Sequence, residues 1–217
     1  MRGVIIEGVT GSGKTAILRM LRERLSSEEG FQSQIFLSEL ETDRVFEEQR
    51  RSGGLDPKRV LRHSEQLIHG VELLNVSVIF ERLLLSHLAH SESTDFYPLD
   101  VVRRQFSRLG QLGFIQIVLV IPEDEFAERV LSTTQYRGEC WTEFLISKGK
   151  NQAEIVAYFK NWQERLLRNA EAHQDVIQTI FLPVKNKFSP SGYQPYCDEI
   201  YSLMNRVSAR KEVLCSM

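Results

Sequence analysis

The segment from Gly8 to Thr15 reads Gly-Val-Thr-Gly-Ser-Gly-Lys-Thr and fits the phosphate-binding pattern G-x-x-x-x-G-K-[ST] at every fixed position. Glycines let a backbone curl around an anion, so that successive N–H groups point at phosphate oxygens. In this pattern the lysine reaches the β- and γ-phosphates of a nucleotide, and the next hydroxyl holds Mg²⁺. The residues predicted to contact the nucleotide are Gly8, Thr10, Gly11, Ser12, Gly13, Lys14 and Thr15. Lys14 is also predicted to be catalytic, and Thr15 is also predicted to be a metal ligand.

The residues on either side of this pattern supply the structural context that it needs. Gly3–Ile6 is a short apolar run typical of a buried strand, and Ile17, Leu21 and Leu25 recur at helical spacing. A loop between a strand and a helix places a phosphate at the helix N-terminus, where a partial positive charge favours anions. GTPases, ATPases and small-molecule kinases all use such loops, so the pattern predicts a bound nucleotide without fixing the reaction.

Four further apolar runs are rich in Val, Ile and Phe and mostly lack strict alternation, as is typical of strands buried on both faces of a parallel sheet. These predicted strands are Gln34–Ser38, Val76–Phe80, Ile115–Ile121 and Val176–Leu182. Helical patterns separate them: one begins at the capping pair Asp56-Pro57, another is expected to stop at Gly110, and the last covers Tyr196–Val207. This order predicts a single α/β domain over residues 1–217, with a five-stranded parallel sheet flanked by helices.

Three stretches together resemble the thymidylate kinase and deoxynucleoside kinase group. Ile6 to Thr15 is similar to the group's first strand and phosphate loop, and the strand that ends in Glu81-Arg82 is similar to its next signature. Val118 to Arg129, where an apolar strand, a proline and acids lead to an arginine, is similar to its fourth strand and the helix after it. The resemblance implies the strand order 2-3-1-4-5 and transfer of the γ-phosphoryl group of ATP to a small-molecule acceptor.

Glu81 and Arg82 follow a predicted strand at the edge where ligands bind in open α/β sheets. We expect Glu81 to hold a Mg²⁺-bound water; the alternative is an acid that complements a helix dipole. Arg82 is expected to be catalytic, because its planar guanidinium can donate two hydrogen bonds to the transferred phosphoryl group.

The residues after the second predicted strand bear on the acceptor. Thymidylate kinases carry an arginine there that grips a monophosphate, whereas deoxynucleoside kinases carry a glutamate that acts on the acceptor hydroxyl. This chain has Glu39 and Glu41, with no basic residue before Arg44. A carboxylate repels a monophosphate, which carries nearly two negative charges near neutral pH. The prediction is a hydroxyl acceptor with Glu39 as the catalytic base; Glu41 in that role, or a solvated loop charge, is the alternative.

A long polar stretch from Thr133 to Asn151 is predicted to be a lid loop, approximately residues 133–151, that closes over the site. Arg137 is the catalytic residue expected from it and Arg129 is a second candidate, with a surface ion pair as the competing role for both. The aromatic residues Trp141, Phe159 and Trp162 are predicted to be packing residues. Arg50 to Leu55 is predicted to be an ordinary surface turn, with a mobile segment over a site as the alternative.

Composition narrows the class of protein further. The 217 residues include 27 Lys and Arg against 29 Asp and Glu, a net charge of −2 that does not indicate a nucleic-acid binder. The three cysteines are scattered without a metal-binding pair, as in a reducing compartment. The apolar stretch Phe114 to Pro122 is far shorter than the roughly 20 residues that span a bilayer. We therefore expect a cytoplasmic protein with no membrane or nucleic-acid partner, in which a homodimer is compatible with the sequence.

Two functions stay open at this level. The first is a kinase that uses ATP and Mg²⁺ on a small-molecule acceptor. The second is a P-loop ATPase or nucleotide-dependent switch that acts on a protein partner. A stable phosphorylated small molecule would support the first, and slow hydrolysis without acceptor dependence would support the second.

Overall fold

Five parallel strands form one sheet in the order β2-β3-β1-β4-β5. The structure is a computed structural model that describes residues 3–27, 34–51, 56–74, 76–90, 97–135, 137–185 and 190–215. The strands are β1 (Gly3–Glu7), β2 (Gln34–Leu37), β3 (Ser77–Glu81), β4 (Phe114–Val120) and β5 (Gln178–Pro183). The predicted fold class and the strand order implied by the resemblance are confirmed, and every predicted strand lies within two residues of its observed ends.

Helices connect the strands and cover both faces of the sheet. They are α1 (Lys14–Ser27), α2 (Glu39–Thr42), α3 (Arg44–Arg51), α4 (Pro57–Leu73), α5 (Leu84–His90), α6 (Leu99–Gln111), α7 (Phe126–Leu131), α8 (Glu139–Ile146), α9 (Gln152–Glu171) and α10 (Pro190–Cys215). Asp56 caps α4 as predicted, because its carboxylate accepts a hydrogen bond from the Lys58 N–H at 2.9 Å. The last helix is longer at both ends than the predicted Tyr196–Val207. Within the described ranges, no helix has both the length and the apolar character that crossing a membrane requires.

The sheet separates two apolar cores, which explains why the strands lack strict alternation. Strand β1 is buried along its whole length. Its Ile5 faces a core shared with α4, α6 and α9, whereas its Val4 and Ile6 face a second core shared with α1 and α10. Both faces of the central strands therefore need apolar side chains.

Strand register brings the loops after β1, β2 and β3 to one edge of the sheet. Ile6 of β1 pairs with Glu81 of β3, and Leu37 of β2 pairs with Phe80. The Arg82 N–H continues the ladder by donating to the Ile6 carbonyl at 3.0 Å. Glu39 and Glu81 consequently lie beside the phosphate loop, although they are far apart in the sequence.

Two sequence predictions about local structure are wrong. The stretch 133–151 is not a long loop: a 3₁₀ turn covers Ser132–Gln135, and α8 covers Glu139–Ile146. Gly110 does not stop α6, which continues to Gln111 before Gly113 adopts a positive φ of 80°. Of the turn predicted for Arg50 to Leu55, residues 52–55 lie outside the described residues, and the first two residues belong to α3.

Close packing, not helix termination, accounts for the glycine at position 110. A Cβ added there would lie 2.0 Å from the carbonyl oxygen of Val176, in the segment that leads into β5. Gly70 of α4 is a contrasting case, since a Cβ there would meet nothing within 4 Å.

These two helical glycines make a matched pair for a stability test. Gly70→Ala should raise the free energy of unfolding by about 0.5–1 kcal/mol, because alanine loses less backbone entropy on folding. Gly110→Ala should lower it by about 1–3 kcal/mol, because the added methyl group forces the backbone apart. Urea unfolding followed by circular dichroism measures both changes. Effects of the same sign would contradict the packing of α6 described here.

Candidate active site

The phosphate loop adopts a backbone that requires glycine at several positions. Gly8, Gly11 and Gly13 have φ values of 151°, 83° and 89°, a range that residues with side chains rarely adopt. A Cβ at Gly8 would lie 2.6 Å from the Ser12 hydroxyl oxygen, and one at Gly11 would lie 2.9 Å from the Arg129 carbonyl oxygen. The loop is therefore curled tightly into a cradle at the N-terminus of α1.

Lys14 folds back over this loop. Its Nζ donates hydrogen bonds to the carbonyl oxygens of Gly8 at 2.7 Å and Val9 at 3.3 Å. Burial and, to a lesser extent, the nearby charge of Arg82 lower the pKa of Lys14 to about 8, although Glu39 and Glu81 act in the opposite direction. The ammonium is thus poorly solvated beside the loop, where an added anion would stabilise its charged form.

A cavity of about 210 Å³ lies against the loop. Its walls are formed by Gly11, Gly13, Lys14, Thr15, Ala16, Arg137 and Tyr193. In the loop itself, the Ser12 hydroxyl is buried without a hydrogen-bond partner among the described residues. A buried orphan hydroxyl, the curled backbone and the lysine all fit a nucleotide's phosphate groups.

Thr15 and Glu81 form the predicted metal pair. The Thr15 hydroxyl donates to Glu81 Oε1 at 2.9 Å, and Glu81 Oε2 accepts from the Glu39 N–H at 3.4 Å. In the described part of the chain, no group of three or more His, Cys, Asp or Glu side chains could hold a metal ion alone. A pair with one carboxylate fits Mg²⁺, which is usually bound through one or two carboxylates, waters and substrate phosphates.

Arg82 is buried in a strained conformation. Its φ is 59°, and among described residues it is the single non-glycine residue with a positive φ. Its Nη1 lies 2.7 Å from Glu39 Oε1 and 3.4 Å from Asp43 Oδ2, and the guanidinium is 5.6 Å from the centre of the Trp162 ring. Such strain costs roughly 1–3 kcal/mol and is typical of functional sites.

Glu39 and Glu41 lie in different environments, although both are in α2. The Glu39 side chain is 42% exposed and faces a second cavity. Burial raises the pKa of Glu39, but the charges of Arg82, Lys14 and Arg137 outweigh burial and hold it below its usual value. Glu41 instead accepts hydrogen bonds from the backbone N–H and hydroxyl of Ser38 at the start of α2, outside the cavity wall.

The second cavity is about 660 Å³ and shares Thr15 with the first. The residues that line it are Thr15, Ser38, Glu39, Leu40, Asp43, Arg44, Glu48 and Glu81. Four of these are acidic, and the one basic residue in this lining, Arg44, is paired with Glu48 at 3.1 Å.

Sequence reasoning missed three buried polar residues around Arg82. Asp43 is buried beside His87, with Oδ1 3.5 Å from His87 Nε2. Burial lowers the pKa of His87 to about 3, and Arg82 adds to that effect, so the imidazole is neutral. Glu7 accepts hydrogen bonds from the Leu83 N–H at 2.9 Å and the Ser86 hydroxyl at 2.5 Å, and burial raises its pKa. One sequence signal for Asp43 exists: it follows Glu39 by four residues, one turn of helix.

The two lid candidates occupy different places. Arg137 lines the phosphate cavity, and its guanidinium carbon lies 4.3 Å from the centre of the Trp141 ring. Arg129 is 1% exposed, pairs with Glu125 at 2.8 Å and lies under the phosphate loop, with Nη1 3.5 Å from the Gly11 carbonyl oxygen. Arg129 thus supports the loop from below, whereas Arg137 faces the cavity.

Comparisons with known proteins bear on this fold. No protein-family model matches the chain, and no curated protein matches it. Among solved structures, the YorR protein of Bacillus subtilis in complex with phosphorylated GDP is 15% identical, with a TM-score of 0.58 over 94% of this chain and 95% of that one. The thymidylate kinase of Ehrlichia chaffeensis is 14% identical, with a TM-score of 0.54 over 93% and 97%.

The deoxyadenosine kinase of M. mycoides with bound dCTP is 18% identical, with a TM-score of 0.52 over 92% of this chain and 99% of that one. At such low identities the likeness establishes the fold. This chain has the fold of the P-loop nucleoside and nucleotide kinases, as the resemblance in its motifs implied.

The buried carboxyl group of Asp43 gives a pH-dependent prediction. Burial raises its pKa from 3.8 to about 7, although Arg82 opposes the rise. The folded state therefore binds this proton more tightly than the unfolded state, and the parent loses stability as pH rises through that range. Because asparagine does not titrate, the melting temperature of Asp43→Asn minus that of the parent should increase from pH 5 to pH 8.

Asp175→Asn is the matched control, since Asp175 is exposed and its pKa is lowered by its hydrogen bond to Arg103. Its carboxylate is ionised throughout this range, so its melting-temperature difference should stay constant. Thermal unfolding at each pH measures both variants. An equally flat profile for Asp43→Asn would show that Asp43 does not carry the buried proton.

Proposed function

We propose that this chain is a small-molecule kinase that transfers the γ-phosphoryl group of ATP to a hydroxyl group. One observation carries the proposal: Thr15 lines both the phosphate cavity and the acid-lined cavity. A transferase must bring a phosphate and an acceptor together, and two cavities that meet at the phosphate loop support that arrangement. An ATPase or nucleotide switch needs only the first cavity.

Each side chain then has a distinct task. ATP would supply the phosphoryl group, and bound Mg²⁺ would neutralise part of its charge. Thr15 would hold the metal and Glu81 a water bound to it, while Lys14, Arg82 and Arg137 would provide positive charge around the phosphoryl oxygens. Glu39 accepts the proton that the acceptor hydroxyl loses as its oxygen bonds to phosphorus.

The charge of Glu39 suits this role. Its pKa lies below the usual range, so the side chain is a carboxylate near neutral pH and can accept a proton. Its contact with Arg82 at 2.7 Å fixes its position on the wall of the second cavity. The Glu39 N–H also donates to Glu81, which links the base to the metal pair.

The charge of the second cavity favours a hydroxyl acceptor over a monophosphate. Four acidic side chains line it, and the single arginine in the described lining is already paired. A monophosphate with nearly two negative charges would be repelled by this wall. A neutral or cationic hydroxyl compound avoids that repulsion.

The base assignment is tested by Glu39→Gln, with Glu41→Gln as the matched control. Glu39→Gln should lower the rate of phosphoryl transfer by roughly 10²- to 10⁴-fold, the range typical of general-base catalysis. The lower half of that range is expected, because the transition state of phosphoryl transfer is largely dissociative. Glu41→Gln should leave the transfer rate unchanged, since Glu41 is bonded to Ser38 and is not among the residues that line the cavity. Single-turnover rates measured under saturating Mg·ATP would reject the assignment if the two variants behaved alike.

The acceptor class is tested by comparing hydroxyl compounds with monophosphates. Nucleosides, sugars and aminoglycoside-like alcohols are assayed against nucleoside monophosphates, with product formation followed by mass spectrometry. We expect a hydroxyl compound to be phosphorylated and the monophosphates to be poor substrates. Efficient turnover of a monophosphate, together with little effect of Glu39→Gln, would assign the thymidylate kinase type of reaction instead.

A further inference from the structure

We infer that Trp141 is a positioning residue whose indole ring holds the guanidinium of Arg137 at the phosphate cavity. The inference rests on the proposed function, because it concerns how this site orders one of its cations. The sequence predicted a packing role for Trp141, and the ring does pack against the apolar core. The structure also places this ring 4.3 Å from the guanidinium carbon of Arg137, within the range of a cation–π contact.

The indole ring is itself held in place. Its Nε1 donates a hydrogen bond to the Thr133 hydroxyl at 2.9 Å, and that hydroxyl donates to the Val130 carbonyl at 2.6 Å. Thr133 is completely buried, so this anchor is fixed to the end of α7. Phe144 packs near the ring, with the two ring centres 5.1 Å apart.

Thr133 anchors both partners of the stack. Its hydroxyl accepts a hydrogen bond from the indole N–H of Trp141, and its carbonyl accepts one from the backbone N–H of Arg137 at 3.2 Å. Arg137 and Trp141 are also four residues apart, with Gly138 between them as the N-cap of α8. The ring and the guanidinium are therefore brought together by one buried residue.

Arg137 faces the space where phosphoryl transfer is proposed to occur. It lines the phosphate cavity together with Lys14 and Thr15. Its positive charge lowers the pKa values of both Lys14 and Glu39, although burial has the largest effect on each. Its charge thus acts on one residue of each cavity, Lys14 in the phosphate cavity and Glu39 in the acid-lined cavity.

An arginine whose side chain is already held in position should bind phosphate oxygens more tightly than one whose side chain rotates freely. Arg137 is exposed, and an exposed arginine must lose much rotamer freedom when it binds phosphate oxygens. A stack that already restricts the side chain reduces this loss on binding. The effect should concern the γ-phosphate, because that is the group which the proposed reaction transfers.

The test compares Trp141→Leu with Trp141→Phe. Both substitutions delete the indole N–H and its hydrogen bond to Thr133, but only phenylalanine keeps an aromatic ring beside Arg137. Calorimetry should show that Trp141→Leu binds Mg·ATP about two- to fivefold more weakly than Trp141→Phe, as exposed cation–π contacts predict. Affinity for Mg·ADP should be equal in the two variants.

The same pair is then measured in an Arg137→Ala background, where the difference in Mg·ATP affinity should vanish. Equal binding by the two variants in the parent background would overturn the positioning role. A difference that persists without Arg137 would also overturn it, since the ring would then act through packing. Failure of the unsubstituted protein to bind Mg·ATP would reject the proposed function as well, so the two failures are distinguishable.

Discussion

The buried guanidinium of Arg82 is the charge around which the rest of the site is arranged. Burying a cation is costly unless opposite charges and hydrogen bonds surround it. Glu39 of α2 and Asp43, the residue directly after α2, contact the guanidinium, and the strained backbone of Arg82 follows β3, directly beside β1. One buried cation thus ties the acceptor-side helix to the centre of the sheet.

The position of this cluster follows from the parallel sheet. Because the carboxyl ends of β1, β2 and β3 meet at one edge, the phosphate loop, Glu39 and Glu81 converge without any long excursion of the chain. Thr15 lies in the first turn of α1, directly after the phosphate loop, and borders both cavities. The strand order therefore places the phosphate loop next to the acid-lined cavity, and the proposed reaction occurs between them.

The sequence predicted the parts of this arrangement that depend on local pattern. Apolar runs identified the strands, and the spacing of Gly8, Gly13 and Lys14 identified the phosphate loop. Helix α8 was missed because Gly138 and Gly149 bracket a mixed segment that resembles a loop. In the structure Gly138 is the N-cap, and the ring of Trp141 turns toward Arg137.

Local sequence pattern could not predict which polar residues are buried or which glycines are closely packed. Asp43 and His87 look like ordinary polar residues in the sequence, yet both are buried, Asp43 against Arg82 and His87 against Asp43. Gly110 was taken for a helix stop, whereas the close approach of Val176 requires it. Each of these features depends on a contact between segments far apart in the chain, so only the assembled fold reveals it.

The most direct test of the account is to follow the terminal phosphate of ATP. The protein is incubated with Mg²⁺, isotopically labelled ATP and a pool of small metabolites, and the products are identified by mass spectrometry, with Lys14→Ala as the control. The account predicts that the label appears on a small molecule, and that this product is lost with Lys14→Ala. Label found solely in inorganic phosphate, at a rate independent of the metabolite pool, would contradict it and would favour a nucleotide-dependent ATPase or switch.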